Sequence, residues 1–307
     1  MPALTTARSF NASQDSSSYL PVAVFIGGTA GIGRAMAEAF VRHTNGRVRV
    51  IIVGRNATAA AEMIAALPLA ARERAEFVKC DMSLMRNIDV ALSELAGRGI
   101  TKINYLIVSS GLLPANGRQE TDEGLDRTIA VVYYGRWKFI HGLQDALSAA
   151  VAAGEPAKVM SVLAAGEGGP IDLDDLGVKK NYSLMNVTRT DATYNDLMLE
   201  KFAQLHSEVS FVHAYPGVVH TNVAVNSQSW LLTMIYYLLY PVVMLVARSP
   251  EDCAELMWYA VHHSGKGLAR VNGKGDDIGM KNWYGTEESV ERLWEHTLDA
   301  TKSRGAA

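Results

Sequence analysis

Pro21-Val22-Ala23-Val24-Phe25-Ile26-Gly27-Gly28-Thr29-Ala30-Gly31-Ile32-Gly33 decides the fold of this chain. A short β-branched run reads as a buried strand, and Arg34-Ala35-Met36-Ala37-Glu38-Ala39-Phe40 reads as the start of a helix. Glycines at such a junction let the backbone turn sharply and approach a ligand closely. The helix N-terminus then offers free N–H groups and positive potential to a phosphate. Placed between a strand and a helix, the glycine run predicts a dinucleotide site, with Gly27, Thr29, Gly31, Ile32 and Gly33 lining it.

Outward from that turn, strand and helix patterns alternate. Strands are predicted at 21–26, 48–53, 75–80, 104–109, 157–162, 209–214 and 268–272, and helices near 32–44, 57–66, 86–97, 122–150, 188–206 and 250–263. Alternating units with short apolar strands imply an α/β fold: a single-domain, Rossmann-type, doubly wound parallel sheet of about seven strands, covered by helices on both faces. No repeat or linker divides residues 19–303. The Ser- and Thr-rich residues 1–18 lack an apolar core segment and read as a disordered lead-in.

With 307 residues, 49% apolar and 20% charged, the chain can bury a large core. Its net charge of −3 and lack of a basic block argue against a nucleic-acid partner. Cys80 and Cys253 read as packing residues in a reducing, cytoplasmic setting. The histidines show no metal-binding spacing, so no metal site is expected. Trp230–Ala247 carries no charge and is broken by Pro241. At the lower edge of membrane-spanning length, this apolar segment, placed near 224–249, reads as a lid over a lipophilic small-molecule substrate, a homo-oligomer surface, a peripheral membrane contact or a membrane span.

In a doubly wound sheet, ligands bind beyond the carboxyl ends of the strands. After the second strand stands Arg55, where NAD-binding proteins carry an acid, and Arg34 opens the first helix. Two guanidinium groups there suit a 2′-phosphate, so the expected cofactor is NADP(H). Asp81, after the third strand, reads as an adenine contact or a helix cap. Ser109, Ser110 and Gly111 follow the fourth strand, where the backbone must pass the cofactor. Ser161 ends the fifth, and Pro216, Gly217, Val219 and Thr221 follow the sixth, framing a nicotinamide.

This ordered set resembles the short-chain dehydrogenase/reductase superfamily over roughly residues 20–300. The insert Ile171-Asp172-Leu173-Asp174-Asp175-Leu176 resembles the retinol-dehydrogenase-like branch, and the run from Tyr182 to Glu200 is similar to fungal reductases of secondary metabolism. The resemblance implies a catalytic group of Asn, Ser, Tyr and Lys. Ser161 and Tyr194 match it, as polariser of the substrate oxygen and proton donor. The Lys position holds Met198 and the Asn position Val132. Lys201, two helical turns past Tyr194 and about 10 Å along the axis, is too distant to substitute. Lys179 and Lys180 read as solvated.

Without that lysine, a tyrosine with pKa near 10 is only about 0.1% phenolate at pH 7. Alcohol oxidation needs the phenolate, whereas reduction needs the phenol, so reduction is favoured. Tyr182 is the rival proton donor, and Tyr133, Tyr134 and Trp137 read as core or substrate-facing aromatics. The expected function is NADPH-dependent reduction of an apolar carbonyl, enone or imine. Two other readings stay open: a non-redox cyclisation, isomerisation or dehydration around a structural NADP(H), and a non-catalytic NADP(H)-binding protein.

Overall fold

Strand β1 (Val22–Ile26) pairs in parallel with β2 (Arg49–Gly54) on one side and β4 (Tyr105–Val108) on the other. The computed structural model describes residues 3–14, 18–113, 117–220, 234 and 247–303. With β3 (Ala75–Lys79), β5 (Lys158–Val162), β6 (Ser210–Ala214) and β7 (Gly267–Val271), the sheet has the order β3-β2-β1-β4-β5-β6-β7, parallel throughout. All seven predicted strands form, each within one residue of its expected bounds.

Both faces of the sheet are buried, as parallel topology requires. Val22, Val24 and Ile26 point into one core with Ile51 and Val53; Ala23 and Phe25 point into the other with Val50 and Ile52. The first core is covered by α5 (Met85–Gly97), α7 (Gly135–Gly142), α8 (Gln144–Ala152), α9 (Leu184–Leu205) and α11 (Glu287–Ala300). The second lies under α1 (Leu4–Ala12), α2 (Gly31–His43), α3 (Ala57–Ala66), α4 (Leu69–Arg72) and α10 (Pro250–His263).

Three departures from expectation have physical causes. The lead-in, expected to be disordered, carries α1. Asn11 is fully buried there, donating to the Glu255 side chain at 2.9 Å and to the Glu255 carbonyl at 2.8 Å. Phe10 also packs on Tyr259 and His263. A polar-rich sequence conceals this helix because its anchors, the Asn11 hydrogen bonds and the packing of Leu4, Ala7 and Phe10, are contacts with distant parts of the chain.

The single helix expected over 122–150 is broken. A short α6 (Arg127–Ile129) runs into a π-helical turn over Ala130–Tyr134, closed by Gly135 N–H donating to the Ala130 carbonyl. A side chain at Gly135 would lie 2.9 Å from both that carbonyl and the Met82 carbonyl, so the helix is pressed against its neighbour there. Finally α11, not expected, is closed at its start by a reciprocal Thr286–Ser289 capping box.

The predicted apolar segment 230–247 lies outside the described residues except for Met234 and Ala247, as does Thr221. Among the described residues no helix is long and apolar enough to cross a membrane.

Candidate active site

Strand order reverses between β1 and β4, and the glycine turn lies at that point. Gly27 N–H donates to the Val53 carbonyl, and Ser109 N–H donates to the Ile26 carbonyl. Gly27 has φ 88° and Gly31 φ 55°, a region that disfavours other residues. A Cβ on Gly27 would stand 2.6 Å from Ser110 N, and one on Gly33 would strike Ser109 Oγ and lie 2.6 Å from the Gly27 carbonyl oxygen. The turn and the Ser109–Gly111 loop are therefore in backbone contact. The N-terminus of α2 has no side-chain cap and no acid in its first turn. Free N–H groups, a glycine cradle and the absence of acid fit a diphosphate.

Arg34 is half-buried and paired with Glu38 at 2.8 Å, one helical turn on. Arg55 is exposed and makes no hydrogen bond or ion pair among the described residues. Asn56 caps α3, leaving the adjacent arginine outside that helix. Asp81 takes Ser83 N–H at 3.0 Å and Ser83 Oγ at 2.8 Å. It closes a turn and does not cap α5, whose first N–H groups go to the Glu123 carboxylate. Gly217, with φ 77°, rests against Gly273 just past β7, and Val219 bridges to Arg248, so Pro216–Val219 is braced by the segments after β7 and before α10.

The structure does not bring Ser161 and Tyr194 together. Ser161 is fully buried; its hydroxyl donates to Asn195 Oδ1 at 2.8 Å and accepts from Arg136 Nη1 at 2.5 Å. Tyr194 is also fully buried, but its hydroxyl donates to the Leu176 carbonyl at 3.0 Å, and its ring packs 5.0 Å from Tyr133. Burial raises its pKa, with the neighbouring tyrosines and Asp191 adding to the effect. Two anchors fix this rotation of α9. Asn195 holds Ser161 and the Val132 carbonyl, and Thr193 Oγ1 exchanges hydrogen bonds with the Gly169 backbone.

Met198 and Val132 are buried. Lys201 is paired with Glu291, while Asp175 accepts the backbone N–H groups of Lys179 and Lys180. Tyr182, half-buried, donates to Asp126 at 3.3 Å; burial pushes its pKa up to about 12. Tyr133 bonds Thr297, Tyr134 bonds His296 and Trp137 packs on Trp294, so these aromatics belong to the core beneath α11.

Three residues that the sequence reading passed over form the polar centre beneath the Ser110 loop. Arg136 is fully buried and donates to Ser161, to the Val108 carbonyl at 3.3 Å and to the Ser110 carbonyl at 2.5 Å. Asn195 is the second, and Asp191, one turn earlier on α9, is the third; its backbone carbonyl accepts from Asn195 Nδ2 at 2.9 Å. Burial pulls the Arg136 pKa down to about 9 and raises that of Asp191. The legible signal was a charged residue on an otherwise apolar helix face: Arg136 amid Val132, Phe139 and Ile140.

The sequence model of the short chain dehydrogenases matches residues 21–165. Oxidoreductase AN1596 of Emericella nidulans is 36% identical over 221 residues, covering 71% of this chain and 65% of that protein, just under two thirds of its length. Oxidoreductase andH of Emericella variicolor is 33% identical over 241 residues, covering 78% of this chain and 70% of that protein. The NADPH-bound carbonyl reductase from chicken fatty liver superposes with a TM-score of 0.61 at 14% identity, covering 85% of this chain and 98% of that one, a likeness of fold.

Proposed function

Since the chain belongs to the short-chain dehydrogenase family, we propose that it is an oxidoreductase that reduces an apolar carbonyl, enone or imine at the expense of NADPH. The observation that carries the dinucleotide reading is the close approach of Gly27 to the Ser110 backbone, and of Gly33 to the Ser109 hydroxyl and the Gly27 carbonyl, beside an uncapped α2. On this reading Gly27, Thr29, Gly31, Ile32 and Gly33 hold the diphosphate, and Arg55 with Arg34 holds the 2′-phosphate. Asp81 meets the adenine, Ser109–Gly111 the ribose, and Pro216, Gly217 and Val219 the nicotinamide. The bound cofactor supplies the hydride.

An apolar substrate is supported by the rim of the carboxyl edge. Leu184 and Met185 start α9, Val218 follows β6, and Met280 and Tyr284 follow β7, all of them exposed. Within this substrate class, the buried and satisfied hydroxyls of Ser161 and Tyr194 favour an acceptor that arrives already protonated. Hydride addition to an iminium carbon gives a neutral amine and needs no side-chain acid.

Purified protein with NADPH and a panel of apolar ketones, enones and iminium ions tests this reading. The expected result is cofactor oxidation with a product heavier by two hydrogens, or by one hydride for the iminium. NADPH left unconsumed across the panel overturns it. A product of unchanged mass would assign the site to isomerisation instead.

A further inference from the structure

Arg136 is a buried cation with neutral partners. Its three hydrogen bonds go to two backbone carbonyls and a serine hydroxyl; among the described residues, the buried Nε has no partner and no carboxylate lies within ion-pair distance. The buried titratable group that faces it is Asp191 on α9, whose pKa burial raises and whose Oδ1 is likewise unpartnered among the described residues. Burying a charge without a contacting counter-charge is costly. A fold that keeps one here places a guanidinium one residue from the glycine turn, since Arg136 grips the Ser110 carbonyl and Ser110 N abuts Gly27.

We propose that Arg136 is a positioning residue for the dinucleotide: it holds the Ser109–Gly111 loop against the glycine turn and supplies from α7 the positive charge that Met198 does not supply from α9. The inference rests on the dinucleotide reading above. At an effective dielectric constant of about 20, a unit charge about 10 Å from an anion changes its affinity on the order of tenfold. Although lowered by burial, the Arg136 pKa of about 9 leaves the group charged at pH 7.

The test is titration of the full chain with NADPH and NADH, calorimetrically, alongside thermal unfolding without cofactor. Arg136→Met is expected to weaken both dinucleotides on the order of tenfold or more. Arg136→Lys keeps a charge, but a buried lysine loses its proton far more readily than arginine. Referred to wild type at each pH, its affinity is expected to be within a few-fold at pH 6 and to fall on the order of tenfold by pH 9. A purely structural role moves unfolding temperature without that pH profile.

Equal binding by Arg136→Met and wild type, or an Arg136→Lys affinity that keeps a constant ratio to wild type, overturns the proposal. If Arg136→Met fails to fold, the Arg136→Lys profile decides alone. A wild-type protein that binds neither dinucleotide overturns the dinucleotide reading itself, and this inference with it.

Discussion

Ser161 donates its hydroxyl proton to Asn195 Oδ1 across 2.8 Å, while Tyr194, the residue before Asn195, turns to the Leu176 carbonyl. Adjacent positions on an α-helix point about 100° apart, so one residue separates the sheet-facing side chain from one buried beneath the insert. The Ser–Tyr pair implied by resemblance is thereby replaced, in space, by Ser161, Asn195 and Arg136.

Tyr194→Phe is therefore expected to leave kcat/KM within about tenfold of wild type and to cost about 1 kcal/mol of stability through the lost bond to Leu176. A tyrosine acting as proton donor would instead lose about 10²–10⁴ in rate. Steady-state kinetics and denaturant midpoints measure the two effects separately.

Arg55 has no partner to lose among the described residues, so Arg55→Ala is expected to leave stability within about 0.5 kcal/mol. It should reduce NADPH affinity roughly tenfold while sparing NADH, because only the former carries the 2′-phosphate. Arg34→Ala should shift that ratio less, since Arg34 is committed to Glu38. The ratio of the two dissociation constants is the readout.

The docking of α1 depends on an ionised Glu255. Burial works to raise this carboxyl, but hydrogen bonds from His43, Asn11 and Arg42 outweigh it and hold the pKa down to about 2, against an ordinary 4.5. Folding thus favours the charged form. The stabilisation is complete above about pH 4.5 and is lost as pH falls toward 2. Amide exchange over residues 4–12 should quicken through that window, and Glu255→Gln should quicken it already at neutral pH.

Arg270 grips Asp196 with two bonds of 2.8 and 2.7 Å, and His213 adds a third at 2.6 Å, all deeply buried. This links α9, β6 and β7. Arg270→Met leaves the carboxylate without its cation and is expected to cost about 3–5 kcal/mol, read as a lowered unfolding free energy. Asp196→Asn in the same background should recover part of the loss.

The sheet was legible in the sequence because its inner strands β1, β4 and β6 are short, fully buried runs whose neighbours are turns, and a parallel sheet buries both faces of such runs. The glycine turn was legible for a similar reason: its requirements are local, imposed by backbone conformation at Gly27 and by close approach at Gly33. Helix α1 was hidden because its anchor, Asn11 on Glu255, joins distant parts of the chain.

What the sequence by itself determined is thus the doubly wound fold and the place where a dinucleotide would enter it. What only the tertiary structure decided is which side chains stand beside that place. A helix pattern specifies which residues share a face, but the rotation of α9 is set by Asn195 on Ser161 and Thr193 on Gly169, and the phase of the chain around Arg136 by a π-helical turn at Ala130–Tyr134. Each of these is a long-range contact or a one-residue change of helical phase. Either one moves a side chain by about 100° without altering a letter of the local pattern.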